Sequence, residues 1–268
     1  MYEWTFWFAK IFFRKLSFSK KEVFFVMIRL LVLSRLFSSK VNIRFRCFGF
    51  IINALNHESL SFSIKEMFLG EQYYFYSDQK NIFIADCGSN IGISILYFKY
   101  LYPDAKLICF EPQKLAFEFL VKNIEANKLK DVTAYNIALS NQKGEVDFFE
   151  HNSGVGLMAS IYATRETHGV PIKIPTQCLS SFLNHRQIPT FIKIDVDGAE
   201  DLIIQDLLAN DQLRSAQIVI EYHHGIHRNG VSLVDLLKIM GTNNYTYNLR
   251  TSFRALGDYR DIGIHFVK

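Results

Sequence analysis

Val41, Ile43, Phe45 and Cys47 alternate with Asn42, Arg44 and Arg46, the period of two that a half-buried strand imposes. A lead-in hairpin is expected to occupy residues 41–65. From residue 80 onward the pattern changes to short, continuously apolar runs separated by segments of helical length. The runs are NIFIAD (81–86), AKLICFE (105–111), VTAYNIAL (132–139), TFIKID (190–195) and AQIVIEY (216–222). Between the second and third, Phe117, Leu120, Val121 and Ile124 recur at i, i+3, i+4 and i+7, which marks one apolar helical face. Solidly apolar strands alternating with helices predict an α/β domain whose mostly parallel sheet is covered on both faces. The last two runs, NYTYNLR (244–250) and DIGIHFVK (261–268), are joined by a segment too short for a crossover helix. They are expected to pair antiparallel. A boundary near FLGEQ (68–72) separates an N-terminal helical arm and hairpin (1–70) from the main domain (71–268).

Composition narrows the function classes. With 268 residues and 49% hydrophobic content the chain can bury a sizeable core, and a disordered protein is excluded. Cys47, Cys87, Cys109 and Cys178 form no CxxC or Cys/His cluster, so neither a disulfide framework nor a zinc site is expected. The cytoplasm is the expected compartment. The net charge of +4 is uneven: ten Lys/Arg against Glu3 and Glu22 put residues 1–50 at +8 and the other 218 at −4. This split argues against a nucleic-acid groove across the main body and for an arm that meets an anionic surface. The arm begins MYEWTFWFAKIFFRKLSF, where aromatics interleave with bases. Either it lies in a membrane interface, at the cytoplasmic face, or its aromatics pack on the main domain or on a second copy in a homo-oligomer. A transmembrane span is not expected, because Arg29 and Arg35 interrupt VFFVMIRLLVLSRLF, and no signal-peptide cleavage site follows.

The segment IADCGSNIGISILYF (84–98) carries the most chemistry. Asp86 ends a strand, and Gly88, Asn90 and Gly92 lead into a helix. In open α/β sheets ligands sit at the carboxyl ends of strands, so this turn is a binding site by position. The spacing is GxxxG rather than the nicotinamide GxGxxG, and a pyrophosphate would be repelled by Asp86. S-adenosylmethionine, with its ammonium and sulfonium, would be attracted. The second strand ends in CFEP, which offers Glu111 as an acceptor for two ribose hydroxyls.

On IADCGSNIGISILYF, ICFEPQKLAFEFLVKNIEANK, NIALSNQKGEVDFF and IKIDVDGAE, the stretch from about Glu71 to Lys268 resembles the FkbM family of class I S-adenosylmethionine-dependent methyltransferases. The resemblance implies a Rossmann-like fold with a seven-stranded sheet and a reversed C-terminal hairpin. It implies S-adenosyl-L-methionine as cofactor, held by Asp86, Gly88, Asn90, Gly92, Glu111 and Asp195, with Asn136 and Ala138 beside the adenine. It also supplies the acceptor class: a hydroxyl of a small molecule or glycan. Where the family has Leu-Asp before the fourth strand, this chain has Leu179 and Ser180.

A hydroxyl acceptor needs a destination for its proton. The candidates are Asp195 and Asp197 after the fourth strand, Glu200 in the helix start that follows, and Glu221, His223 and His224 after the fifth. The period of two puts Glu221 and His223 on one face. In FIKIDVDGAED (191–201) the D-x-D-G element lacks the third ligand position of a calcium loop, so no metal site is expected there. Asp201 is expected to do no more than favour the helix start. Two other readings stand beside methyl transfer: a dinucleotide-dependent oxidoreductase, and a non-catalytic scaffold that binds through the arm.

Overall fold

The computed structural model describes residues 19–36, 42–150, 159–161, 170–183, 187–215, 217–223, 231–251 and 261–268. The aromatic stretch 1–18 and His224 lie outside the described residues. The chain divides into two units. One comprises residues 1–74, 91–103 and 118–129; the other comprises 75–90, 104–117 and 130–268.

The larger unit contains the seven-stranded sheet. Its strands are β3 (Phe83–Cys87), β4 (Lys106–Phe110), β5 (Val132–Tyr135), β10 (Phe191–Ile194), β11 (Gln217–His223), β12 (Thr246–Thr251) and β13 (Asp261–Val267). They lie in the order β12-β13-β11-β10-β3-β4-β5, and β13 alone runs opposite to the other six. β3 and β10 are buried along their whole length, which is why both read as unbroken apolar runs. The chain leaves β3 towards β4 and β5 on one side and returns to β10 and β11 on the other. The carboxyl ends of β3 and β10 therefore flank the crevice where the strand order reverses. Helix α5 (Glu200–Ala209) follows β10 and α6 (Leu233–Thr242) precedes β12. Ile203, Ile204 and Leu207 of α5 and Leu236 and Met240 of α6 join Ile192, Ile194, Ile218, Ile220 and Phe266 in one core.

VTAYNIAL is not one strand. β5 stops at Tyr135, and Ala138–Leu139 form β6 of a second sheet, in the order β6-β9-β7-β8 with β7 (Gly144–Glu150), β8 (Ala159–Ser160) and β9 (Ile172–Gln177). The break falls at Asn136, whose side chain donates to the Glu111 carbonyl (2.9 Å) and the Pro112 carbonyl (3.0 Å). The apolar run does not record this change of partner, although β5 is only partly buried and β6 is fully buried.

In the smaller unit, α1 (Lys20–Leu36) buries Val23, Val26, Met27 and Leu30, the i, i+3, i+4, i+7 face of a core helix. Arg29 serves packing here: it donates to the Arg46 carbonyl (2.9 Å) and lies 4.5 Å from the Phe45 ring. Strands β1 (Ile43–Cys47) and β2 (Phe50–Ala54) form the hairpin, which ends at residue 54 rather than extending towards 65. It gives way to α2 (His57–Ile64), whose start is capped by the Asn56 side chain accepting from Ser59 N at 2.7 Å. A π-helical turn (Lys65–Leu69) follows. This unit also contains α3 (Ile93–Leu101) and the later part of α4 (Lys114–Ala126). Asn123 and Asn127 serve the β2 edge in place of a third strand. Asn127 exchanges two hydrogen bonds with the Ile51 backbone, both 2.7 Å. Asn123 does the same with Asn53 at 2.6 and 3.0 Å, and also donates to the Ile91 carbonyl. Among the described residues no helix is long and apolar enough to cross a membrane.

Candidate active site

The parallel register sets Lys193 of β10 opposite Asp86 of β3, so both side chains emerge on the same face of the sheet. The Lys193 ammonium lies 3.3 Å from Asp86 and 3.2 Å from Asp195, and donates to the Gly88 carbonyl at 2.7 Å. Both Lys193 and Asp86 are wholly buried. Burial alone would push the lysine pKa down; Asp195 and Asp86 overcome this and hold it above the ordinary value. Lys193 thus ties together the ends of β3 and β10. It was not among the residues expected from sequence, although a lysine inside a solidly apolar strand is itself a signal that a buried counter-charge must exist.

The turn after β3 is closed by backbone. Gly88 N and Ser89 N both donate to the Phe110 carbonyl, at 3.0 and 2.9 Å. Gly88 has φ +84°, and a Cβ there would fall 1.7 Å from the Asp195 carbonyl oxygen. The glycine is needed first for the approach of one strand end to the other. Glu111, at the end of β4, accepts from Asn90 N (2.7 Å) and Gln113 N (2.8 Å). Burial pushes its pKa up to about 7, against the opposing effect of those two amides.

Beyond β10, Asp197 occupies a left-handed backbone position (φ +50°) in the turn before α5. His223, at the end of β11, spans two carboxylates: Nδ1 lies 2.9 Å from Glu200 and Nε2 lies 3.2 Å from Asp197. Glu221 comes within 4.0 Å of Nε2, as the period-two alternation requires. Burial would lower the His223 pKa, but the bond to Glu200 and the charges of Asp197, Glu200 and Glu221 raise it well above the ordinary value. The Asp197 pKa is also raised, by burial first and then by Asp195, Glu200 and Glu221, with His223 opposing. Glu200, fully buried, also accepts from Gly198 N at 3.0 Å. Asp201 is buried as well and accepts from Val231 N (3.3 Å), so it anchors the approach to α6 in addition to favouring the helix start.

A cleft of about 670 Å³, part of it open to solvent, lies over these strand ends. Gly88, Asn90, Glu111, Ala138, Asp195 and Asp197 line it, with an apolar wall from Phe110, Ile137, Leu139, Phe148 and Ile161. The other expected residues are not part of this lining. Asp86 faces Lys193 inside the protein, Asn136 pins the Glu111–Pro112 backbone, Gly92 forms the left-handed N-terminus of α3, and Glu200 and His223 back Asp197. Asp86 thus forms an ion pair with Lys193 within the sheet. Ser180 is not among the lining residues, and its N and Oγ donate to Asp206 of α5, at 2.8 and 2.5 Å.

The methyltransferase FkbM domain matches residues 86–249. The chain is 36% identical over 92 residues to the methyltransferase sdnD of Sordaria araneosa, which covers 34% of this chain and 36% of that protein. It is 26% identical over 171 residues to methyltransferase 1 of Beauveria bassiana, which covers 55% of this chain and 67% of the relative. A solved structure of a proposed transferase from Pyrococcus horikoshii superposes with a TM-score of 0.50 at 17% identity, covering 87% of this chain and 74% of that one. That likeness concerns the fold alone. With the family domain spanning both strand ends that build the cleft, the chain belongs to the FkbM methyltransferase family.

Proposed function

We propose that this protein transfers the methyl group of S-adenosylmethionine to a hydroxyl oxygen of a small molecule or glycan, with a sugar or polysaccharide precursor as the favoured acceptor. The observation that carries this reading is that one cleft joins two chemically different ends. Asn90 and Glu111 line it after β3 and β4, while Asp195 and Asp197 line it after β10. Glu111 is preoriented by two backbone amides and keeps lone pairs for the ribose hydroxyls. Ile137, Ala138 and Leu139 give the adenine an apolar wall. In the transfer, the acceptor oxygen forms a bond to the methyl carbon as the carbon–sulfur bond breaks, and S-adenosylhomocysteine leaves as a neutral thioether. The hydroxyl proton passes to the Asp197 carboxylate, which lines the cleft with His223 Nε2 3.2 Å from it; Asp195, held by Lys193, accepts a hydrogen bond and orients the acceptor. His223 and Glu200 hold Asp197 in place rather than meeting the acceptor themselves.

Calorimetric titration with S-adenosylhomocysteine tests the donor half; absence of binding removes the proposal. Transfer of labelled methyl to a panel of glycans and hydroxylated small molecules tests the acceptor half. Labelling confined to amines or thiols would overturn the hydroxyl assignment. The basic aromatic stretch 1–18 suits an acceptor held at an anionic membrane face, without nucleic acid as a partner. Deleting residues 1–18, and not the core helix α1, should abolish sedimentation with anionic liposomes; unchanged sedimentation disposes of the membrane contact.

A further inference from the structure

We propose that Asp195, Glu221 and His223 form a binding site for a divalent first-row transition-metal cation at the carboxyl edge of β10 and β11. One carboxylate oxygen from each acid and one ring nitrogen of His223 lie within 4.8 Å of one another. A cation with ligands at about 2.1 Å holds them roughly 3–4 Å apart, so the side chains need only a small contraction to share one. The ring is already oriented for this. Glu200, with its side chain 1% exposed, holds Nδ1 at 2.9 Å and is itself fixed by Gly198 N, so Nε2 is the nitrogen that turns towards the carboxylates. A buried carboxylate behind one imidazole nitrogen is the support that metal-ligating histidines have. Asp197, 3.2 Å from Nε2, stands beside this trio as a third carboxylate on the cleft side.

The donor set decides the class of ion. One imidazole with two or three carboxylates suits manganese or zinc better than calcium, which takes oxygen ligands throughout. Lys193 approaches Asp195 through Oδ2 at 3.2 Å and anchors that carboxylate at the edge of the group. The site also explains why the chemistry-bearing residues of two strands converge at one point: Asp195 follows β10, and Glu221 and His223 share one face at the end of β11. In the methyl-transfer reading, on which its role but not its existence rests, the cation is a Lewis acid beside the acceptor hydroxyl.

The test uses the full chain after chelator treatment, titrated calorimetrically with manganese chloride, zinc chloride and magnesium chloride, with manganese binding followed independently by electron paramagnetic resonance. One manganese or zinc ion per chain is expected, with affinity at least tenfold weaker in E221Q and in H223N and unchanged in the surface control D235N. Folding of each variant is checked by circular dichroism and by S-adenosylhomocysteine binding, which uses the Glu111 end of the cleft. Absence of stoichiometric binding overturns the proposal, as does binding of equal strength in folded E221Q and H223N. A failed metal titration with intact S-adenosylhomocysteine binding removes the cation site and leaves methyl transfer standing; the opposite pattern does the reverse.

Discussion

The ammonium of Lys193 lies 3.3 Å from the carboxylate of Asp86, and neither side chain reaches water. This pair spans adjacent parallel strands at the point where the strand order reverses, and the same lysine extends to Asp195 and to the Gly88 carbonyl. A cation placed there converts two strand ends into one rigid rim.

Removing one partner of a buried pair leaves the other charged and unpaired in a poorly polarisable interior. K193M is expected to lower unfolding stability by about 3–5 kcal/mol, and K193M/D86N to recover part of the loss. Urea unfolding of the three proteins measures this; a single-variant loss under about 1 kcal/mol would show that the pair is dispensable.

Glu111 links donor binding to pH. Its pKa is raised to about 7 in the folded chain, so the folded state holds the proton more tightly than the unfolded one. Its contribution to stability is present at low pH and is lost as pH rises from the ordinary carboxylate range through about 7. Ribose hydroxyls favour the ionised form, so S-adenosylhomocysteine affinity should rise roughly tenfold from pH 6 to pH 8. E111Q should bind more weakly and show no such rise in a calorimetric pH series.

Asn123 joins β2 to α4 and is 1% exposed. N123L strips partners from the Asn53 N–H and from the Asn53 and Ile91 carbonyls, and is expected to cost about 2–4 kcal/mol. Faster amide exchange at Asn53, measured alongside chemical denaturation, would locate the loss; unchanged exchange would sink the explanation.

Restoring the family's acid at position 180 should harm the protein. S180D replaces a hydroxyl donor with a second carboxylate against the buried Asp206 and is expected to cost about 3 kcal/mol or more. S180D/D206N should be more stable than S180D alone in thermal melts; the reverse order would contradict the contact.

The seven-strand α/β architecture and its reversed C-terminal hairpin were legible in the sequence, because a strand buried on both faces must be apolar throughout and the period of two assigns faces without further information. The same alternation paired Glu221 with His223. The turn at Gly88 was legible too, although its glycine answers first to the Asp195 backbone. Other features depended on contacts between distant segments. The run 132–139 hid a change of sheet because its apolar residues continue through the break at Asn136, and the hairpin's end at residue 54 was set by the Asn56 cap. The sequence determined which residues stand at the strand ends. The tertiary structure decided which of them face the cleft: Asp86 and Glu200 turned inward to Lys193 and His223, because a buried carboxylate requires a partner and register supplied one within reach.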